Sequence, residues 1–123
     1  MNFLDSLYSV TQSRKTEGGF EFDISLFPEH FIYKAHFPGE PITPGVCIIQ
    51  IATELFSLAM DAPMSLYSAK NVKFLKIVSP SERTDFNFTF SKIVVEGDLV
   101  KFACVLSAEN EIYAKLSLIC RKK

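Results

Sequence analysis

Hydrophobic and polar residues alternate over residues 20–26 and 85–91, and this alternation predicts two half-buried β-strands. Phenylalanine fills two of the four apolar positions in the first segment and all three in the second. Because successive side chains of a strand point to opposite faces of a sheet, each segment should present one apolar row to a core. Three more strands are predicted over residues 66–78, 99–106 and 112–120, with turns at 96–98 and 109–110. Residues 2–10 fit either a short helix or an edge strand.

Residues 46–60 form the longest apolar segment, and its periodicity predicts one long helix. Apolar side chains cover most of the helix circumference and leave a narrow polar stripe of Gln50, Thr53, Glu54, Ser57 and Asp61. A helix that is apolar on nearly every side is buried rather than lying on a surface. The predicted architecture is therefore α+β, with an antiparallel sheet wrapped around one long central helix, in a single domain spanning residues 1–123.

The charge balance of the chain argues against a nucleic-acid partner. The formal net charge is −1 and the sequence pI is about 6.1, whereas nucleic-acid-binding domains normally carry a strongly basic face. Cys47, Cys104 and Cys120 lie in apolar segments without the spacing of metal ligands, which favours buried free thiols in a reducing compartment. Residues 48–60 are too short and too polar to span a bilayer, and no N-terminal signal segment is evident. We therefore expect a soluble, cytoplasmic protein with no metal site.

The loop ahead of the helix carries the strongest indication of chemistry. Residues 36–46 read HFPGEPITPGV. Prolines restrict φ and glycines permit close backbone approach, so this loop should be stiff. Thr43 and Pro44 are typical of an N-cap followed by proline at the first helical position, which predicts that the helix starts there. The imidazole of His36 would then lie near unpaired backbone N–H groups that can hold a developing negative charge, which suits chemistry on a carbonyl group.

This motif resembles that of a known family, the hot-dog-fold 3-hydroxyacyl-[acyl-carrier-protein] dehydratases of type II fatty acid synthesis. The family signature is His-Phe-Pro-Gly, then Pro-Gly-Val opening a central helix that carries a carboxylate fourteen residues after the histidine. Residues 36–39, Pro41 and residues 44–46 match the family in order and spacing, and weaker similarity extends over most of the chain. The chain departs from the family at two places: Gln50 occupies the position of the carboxylate, and residues 79–82 read SPSE in place of the Pro-Gly-Asp turn.

The resemblance implies a hot-dog fold and a hydro-lyase that eliminates water from a 3-hydroxyacyl thioester to give the trans-2-enoyl thioester. It implies that His36 removes the proton from C2 and that the helix N-terminus holds the thioester oxygen. It also implies that Gln50 lies where a carboxylate would assist the loss of the hydroxyl group. The candidate residues for binding the substrate and its oxyanion are Phe37, Pro44, Gly45 and Val46.

The resemblance further implies a homodimer, or a larger oligomer of dimers, whose active sites are built from both subunits. It implies a substrate carried on the phosphopantetheine arm of an acyl carrier protein, with no cofactor held by the chain itself. Ile48 and Phe74 could line an acyl channel or belong to an ordinary core, and the choice between carrier-protein and coenzyme A thioesters stays open. The basic side chains that could meet an acidic carrier protein, or could simply be solvated, are Lys34, Lys70, Lys73, Lys76 and Arg83.

Gln50 leaves three interpretations open. An amide can hydrogen-bond a hydroxyl group or water, but it cannot supply a proton at neutral pH. The protein is then a dehydratase in which His36 moves the proton alone or through water, a hot-dog thioesterase, or a non-catalytic acyl-binding relative. Glu54 lies about one helical turn beyond Gln50. It either replaces the missing carboxylate or is a solvated or paired residue of the polar stripe.

Overall fold

The computed structural model describes residues 2–35 and 39–123, which form an antiparallel six-stranded sheet with one long helix packed against it. The elements in chain order are β1 (Tyr8–Lys15), β2 (Phe20–Leu26), α1 (Ile32–Ala35), α2 (Gly45–Met60), β3 (Met64–Phe74), β4 (Asp85–Glu96), β5 (Leu99–Ala108) and β6 (Glu111–Lys122). The predicted α+β architecture and the long helix are confirmed.

The strand order is β1-β2-β4-β5-β6-β3, and every neighbouring pair is antiparallel. Strands β4, β5 and β6 are joined by the two predicted turns, in which three residues have positive φ: Gly97, Glu109 and Asn110. Strand β3 does not pair with the next strand in the chain. It crosses to the far edge of the sheet and pairs with β6, so the two edges are β1 and β3.

The predicted third strand is wrong at its C-terminal end, because β3 stops at Phe74 and not at residue 78. Beyond it, the N–H groups of Leu75 and Lys76 both donate to the carbonyl oxygen of Tyr113. The chain then turns toward the start of α2, where the carbonyl of Val78 accepts a hydrogen bond from the N–H of Thr43 at 2.8 Å. This departure from the sheet brings residues 75–78 beside the helix N-terminus.

The N-terminal segment contains an edge strand, which settles the choice left open by the sequence. Strand β1 runs to Lys15, five residues beyond the predicted segment, through a run that is polar and exposed on both faces. Alternation could not reveal this part of the strand, because neither of its faces is buried. The short helix α1 was not predicted either.

Helix α2 buries one side against aromatic side chains of the sheet. Phe56 stacks on Phe102 with ring centroids 3.8 Å apart, and it also contacts Phe90. The expectation that α2 is buried on nearly every side is wrong within one chain, because Val46 is 74% exposed and Leu58 is 48% exposed. A set of apolar side chains on β3 and the segment after it is exposed too, and we call this set the apolar edge: Leu66, Tyr67, Phe74, Leu75 and Ile77.

Candidate active site

His36 and Phe37 lie outside the described residues, so their assignments as base and substrate contact stay predictions. The structure describes the rest of the loop from Gly39, which has a φ of 93°. Residues with a side chain rarely adopt this left-handed conformation, so the backbone itself requires glycine at this turn. The motif glycine, three residues after the predicted catalytic histidine, thus adopts a conformation that favours glycine.

Thr43 does not cap the helix, contrary to the sequence prediction. Pro44 occupies the N-cap position, and no side chain among the described residues caps the helix start. The Thr43 hydroxyl is buried and lies 2.9 Å from the hydroxyl of Tyr33 on α1. Together with the bond from its N–H to Val78, this contact ties the end of the loop to two other elements. Thr43 therefore fixes where the helix begins without satisfying its free N–H groups.

The first turn of α2 presents backbone donors. The carbonyl of Pro44 accepts hydrogen bonds from the N–H groups of Cys47 at 3.0 Å and Ile48 at 3.2 Å. Within the described residues, the N–H groups of Gly45 and Val46 have no acceptor. The N-terminus of a helix of this length carries a partial positive charge and attracts anions. The prediction that Gly45 and Val46 open the helix is confirmed, whereas their contact with a substrate stays a prediction.

An apolar cavity of about 470 Å³ lies beside this helix start. Pro44, Gly45 and Ile48 line its helix side, and Phe74 lines its sheet side. The ring of Phe74 lies so close to the backbone that a Cβ added to Gly45 would be 2.6 Å from two ring carbons. The structure thus brings Ile48 and Phe74 together at one cavity, as expected of residues that line an acyl channel.

Gln50 faces a different cavity. Successive residues of a helix are rotated by about 100°, so Gln50 is turned by about 140° from Gly45 around the axis of α2. It lines a cavity of about 410 Å³ with Thr53 and Ser57 of the polar stripe and with Leu4 of the N-terminal segment. This cavity shares no lining residue with the one at the helix start. Within residues 2–35 and 39–123 of one chain, Gln50 and the helix N-terminus therefore do not line the same cavity.

Glu54 is a paired residue of the polar stripe, which confirms one of the two interpretations drawn from the sequence. Its Oε1 accepts hydrogen bonds from the N–H of Leu4 at 2.9 Å and the hydroxyl of Tyr8 at 2.9 Å. Its Oε2 accepts from the N–H of Phe3 at 2.7 Å and from Nε2 of Gln50 at 2.8 Å. A carboxylate offers about four lone-pair sites for hydrogen bonds, and these four donors fill them. The arrangement holds the N-terminal segment on α2 and does not suit proton transfer by Glu54.

The neighbouring titratable groups are held in their neutral forms. Burial, and then the charge of Glu54, raise the pKa of Tyr8, so its hydroxyl remains a donor. The three cysteines are free and buried, as predicted. Burial raises the pKa of Cys47 and of Cys104, and it raises the pKa of Cys120 to about 11. These thiols are therefore poor nucleophiles.

The described residues contain no group of three or more His, Cys, Asp or Glu side chains able to hold a metal ion.

Two of the five candidate basic residues form ion pairs with acids. Lys76 pairs with Glu111, and Arg83 pairs with Glu109 at 3.1 Å. Lys70 and Lys73 are exposed on the edge strand β3. They remain available to a partner that approaches this edge.

Similar structures define the class of this protein as a hot-dog fold. The dehydratase heterocomplex ApeI:P from Xenorhabdus doucetiae matches with a TM-score of 0.64 and 18% identity, covering 91% of this chain and 96% of that one. A Lactococcus lactis protein provisionally assigned as a thioesterase matches with a TM-score of 0.69 and 14% identity, covering 99% and 97% of the two chains.

In the described part of the chain, no helix is long and apolar enough to cross a membrane.

The sequence model of the ApeI-like family, described as the ApeI dehydratase, matches residues 12–117. The chain therefore belongs to the ApeI-like dehydratase family. The 3-hydroxyacyl-[acyl-carrier-protein] dehydratase FabZ of Aeromonas hydrophila subsp. hydrophila is 29% identical, over 94% of this chain and 78% of that protein. The resemblance to hot-dog dehydratases that the motif indicated is confirmed.

Proposed function

We propose that this protein is a 3-hydroxyacyl-[acyl-carrier-protein] dehydratase, which converts a 3-hydroxyacyl thioester into the trans-2-enoyl thioester. The observation that carries the proposal is the start of α2, where the N–H groups of Gly45 and Val46 have no acceptor among the residues that the structure describes, beside an apolar cavity. Negative charge develops on the thioester oxygen as the C2 proton leaves, and preorganised backbone donors stabilise such a charge. Membership of a dehydratase family supports the reaction class.

In the proposed reaction, His36 removes a proton from C2 while the helix N-terminus holds the thioester oxygen. The C2–C3 double bond forms as the C3–O bond breaks, and the departing hydroxyl group takes up a proton and leaves as water. Because the amide of Gln50 cannot supply that proton, the imidazolium of His36 returns it, directly or through a water. The imidazole is then neutral again, and its ordinary pKa near neutrality suits this reversible transfer.

We further propose that two hot-dog chains build each site, as a homodimer or with a related chain. In the described part of one chain, Gln50 and the helix N-terminus line separate cavities, which favours a second chain as the source of one of the two groups. The apolar edge and Val46 are exposed in the single chain, and exposed apolar patches mark sites of association. The ApeI:P dehydratase from Xenorhabdus doucetiae, which has the same fold, is itself a heterocomplex.

The substrate carrier is proposed to be an acyl carrier protein in the cytoplasm, with coenzyme A thioesters as the alternative. Lys70 and Lys73 are exposed on β3, the strand whose end lines the apolar cavity through Phe74. An acidic carrier bound along β3 would leave its flexible phosphopantetheine arm to reach that cavity. Charge complementarity of this kind mainly speeds association.

Two rival functions remain, and one observation bears on each. A thioesterase needs an activated water, usually from a carboxylate, and no Asp or Glu is among the described residues that line the apolar cavity. A non-catalytic acyl-binding relative is favoured by Gln50, because an amide gives no acid or base. The dehydratase accounts for both observations if His36 carries the proton alone.

A single assay separates the three functions. Purified protein is incubated with 3-hydroxybutyryl carrier protein, and enoyl thioester, free carrier thiol and bound substrate are measured together. The dehydratase predicts enoyl product, and also hydration when crotonyl carrier protein is supplied. Release of free thiol would show hydrolysis, and binding without any product would show the non-catalytic relative.

A further inference from the structure

The outer face of the sheet, which points away from α2, carries a groove of about 310 Å³ that crosses β4, β5, β6 and β3. A row of short side chains lines it: Ser91 pairs with Ala103, Ala103 with Ser117, and Ser117 with Asn71. Cross-strand partners point to the same side of a sheet. Along β5 and β6, members of this row alternate with buried core residues, so the groove lies on the face opposite the helix.

Three exposed lysines line the same groove: Lys73, Lys92 and Lys115. Within residues 2–35 and 39–123, none of their ammonium groups forms an ion pair, and no Asp or Glu is among the described residues that line the groove. The groove therefore concentrates uncompensated positive charge on a chain whose formal net charge is −1.

Two of these lysines repel each other in the sheet. Lys73 on β3 lies directly opposite Lys115 on β6, and like charges at directly opposed positions destabilise a pair of strands. The fold itself gains nothing from this placement. A ligand that lies between the two ammonium groups and carries negative charge would remove the repulsion.

A β-bulge brings the third lysine to the groove. The register of β4 against β5 shifts between Ser91 and Val94, and Lys92 has a φ of 53°, which residues with a side chain rarely adopt. Phe90 is buried in the core, so regular alternation would turn residue 92 toward the core as well. The bulge gives that place to Ile93, which packs on the core, and Lys92 lines the groove instead. Bulges commonly redirect a side chain in this way near functional sites.

We propose that this groove is a binding site for the phosphate or diphosphate group of a ligand. The three ammonium groups complement the negative charge, and the hydroxyl groups of Ser91 and Ser117 can donate hydrogen bonds to phosphate oxygens. A diphosphate fits best, because it carries enough charge and length to meet lysines on different strands. The site does not depend on the dehydratase function, since the groove shares no lining residue with either cavity beside α2.

Calorimetric titration at constant ionic strength tests the site, with inorganic phosphate and pyrophosphate as probes. The parent protein should bind pyrophosphate more tightly than phosphate. Lys73→Gln, Lys92→Gly and Lys115→Gln should each weaken pyrophosphate binding about fivefold or more, as expected for the loss of one charge-assisted hydrogen bond. Lys15→Gln is the control, because it removes an exposed lysine from the other edge strand, β1, and changes the net charge equally. Its affinity should stay within about twofold of the parent's.

Vesicles distinguish the two sources of a phosphate group. Binding to phosphatidylglycerol vesicles, but not to phosphatidylcholine vesicles, with competition by pyrophosphate would assign the site to a lipid headgroup. Binding of pyrophosphate without binding to vesicles would assign it to a soluble phosphate. The proposal is overturned if the parent binds neither pyrophosphate nor phosphatidylglycerol, or if Lys15→Gln loses as much affinity as the three groove variants.

Stability separates a binding role from a structural one. Lys92→Gly relieves a left-handed backbone, and Lys73→Gln and Lys115→Gln relieve the repulsion, so none of the three should lower the melting temperature although each weakens binding. A lower melting temperature with unchanged affinity would overturn the proposal. Nuclear magnetic resonance of the parent protein gives a test that needs no variant: pyrophosphate should shift the backbone amide signals of residues 71–73, 91–93 and 115–117. Shifts confined to other residues would contradict the assignment.

Discussion

The ring of Phe74 packs directly on the backbone of Gly45, the first residue of α2. A Cβ at position 45 would be 2.6 Å from two carbons of that ring, well inside van der Waals contact. The contact joins the end of β3 to the helix N-terminus at the edge of the apolar cavity. A side chain at position 45 would therefore force the ring of Phe74 to shift.

We predict that Gly45→Ala destabilises the fold by about 1–3 kcal/mol, as forced overpacking commonly does. Gly18→Ala is the control, because a Cβ there meets only an ordinary contact at 3.8 Å. Equilibrium unfolding in urea measures both. Adding Phe74→Leu should recover part of the loss, and equal stability of the two alanine variants would contradict the packing argument.

Gln50→Glu should increase the rate of dehydration by supplying the missing acid. A well-placed general acid is worth about 10²–10⁴ in rate, which sets the upper limit of the gain. The measurement is enoyl-thioester formation by both proteins under identical conditions. A folded variant that binds substrate without any gain would show that position 50 does not reach the reacting carbons.

The same substitution should make stability depend on pH. The new carboxyl group would lie against the carboxylate of Glu54, and two like charges at that distance disfavour double ionisation, so the pair retains a proton. A carboxyl whose pKa is raised in the folded state stabilises the fold at low pH and loses this contribution as pH rises through the folded pKa. The melting temperature of Gln50→Glu minus that of the parent should therefore be higher at pH 5 than at pH 8. If this difference in melting temperature is the same at both pH values, the two carboxyl groups do not interact.

Tyr8 should contribute to unfolding in alkali. Burial and the charge of Glu54 raise the pKa of Tyr8 above its ordinary value of about 10. The folded state then keeps a proton that the unfolded chain loses, so this contribution to stability is present below about pH 10 and is lost above it. Between pH 9 and pH 11, the unfolding free energy of Tyr8→Phe should fall less than that of the parent. The exposed Tyr67→Phe is the control, and equal slopes for Tyr8→Phe and the parent would contradict the prediction.

Association is expected to depend on the apolar edge. Small-angle scattering at micromolar concentration should show a dimer or a larger oligomer, because exposed apolar surface of this kind is normally covered. Leu66→Glu on β3 should weaken association, whereas Val94→Glu, at a comparably exposed apolar position on β4, should not. A monomeric parent protein would contradict the two-chain site unless a related hot-dog chain restores the complex.

The sequence predicted those parts of the fold that a local pattern reveals. Alternating phenylalanines located β2 and the first half of β4, and the Pro-Gly-Val motif located the start of α2. The edge strand β1 was missed beyond Val10 because its polar residues are exposed on both faces. The end of β3 was predicted too late because residues 75–78 are apolar but turn away from the sheet toward Thr43.

Long-range pairings at the site could not be predicted from local patterns. Glu54 is held by two backbone N–H groups and a tyrosine hydroxyl from residues 3–8, and backbone donors leave no trace in residue identity. Thr43 is a residue type that commonly caps helices, but its hydroxyl is hydrogen-bonded to the hydroxyl of Tyr33. The separation of Gln50 from the helix-start cavity follows from helix geometry, but the residues that enclose each cavity with the helix include segments distant in the sequence.

The most direct test of the account is the dehydration of 3-hydroxybutyryl carrier protein by the parent protein and by His36→Ala. The account predicts enoyl thioester with the parent and none above background with His36→Ala, although the variant keeps the parent's scattering profile and cooperative unfolding. His30→Ala, which alters the other histidine of the chain, should retain most of the activity. Full activity of a folded His36→Ala protein, or no enoyl product from the parent, would contradict the account.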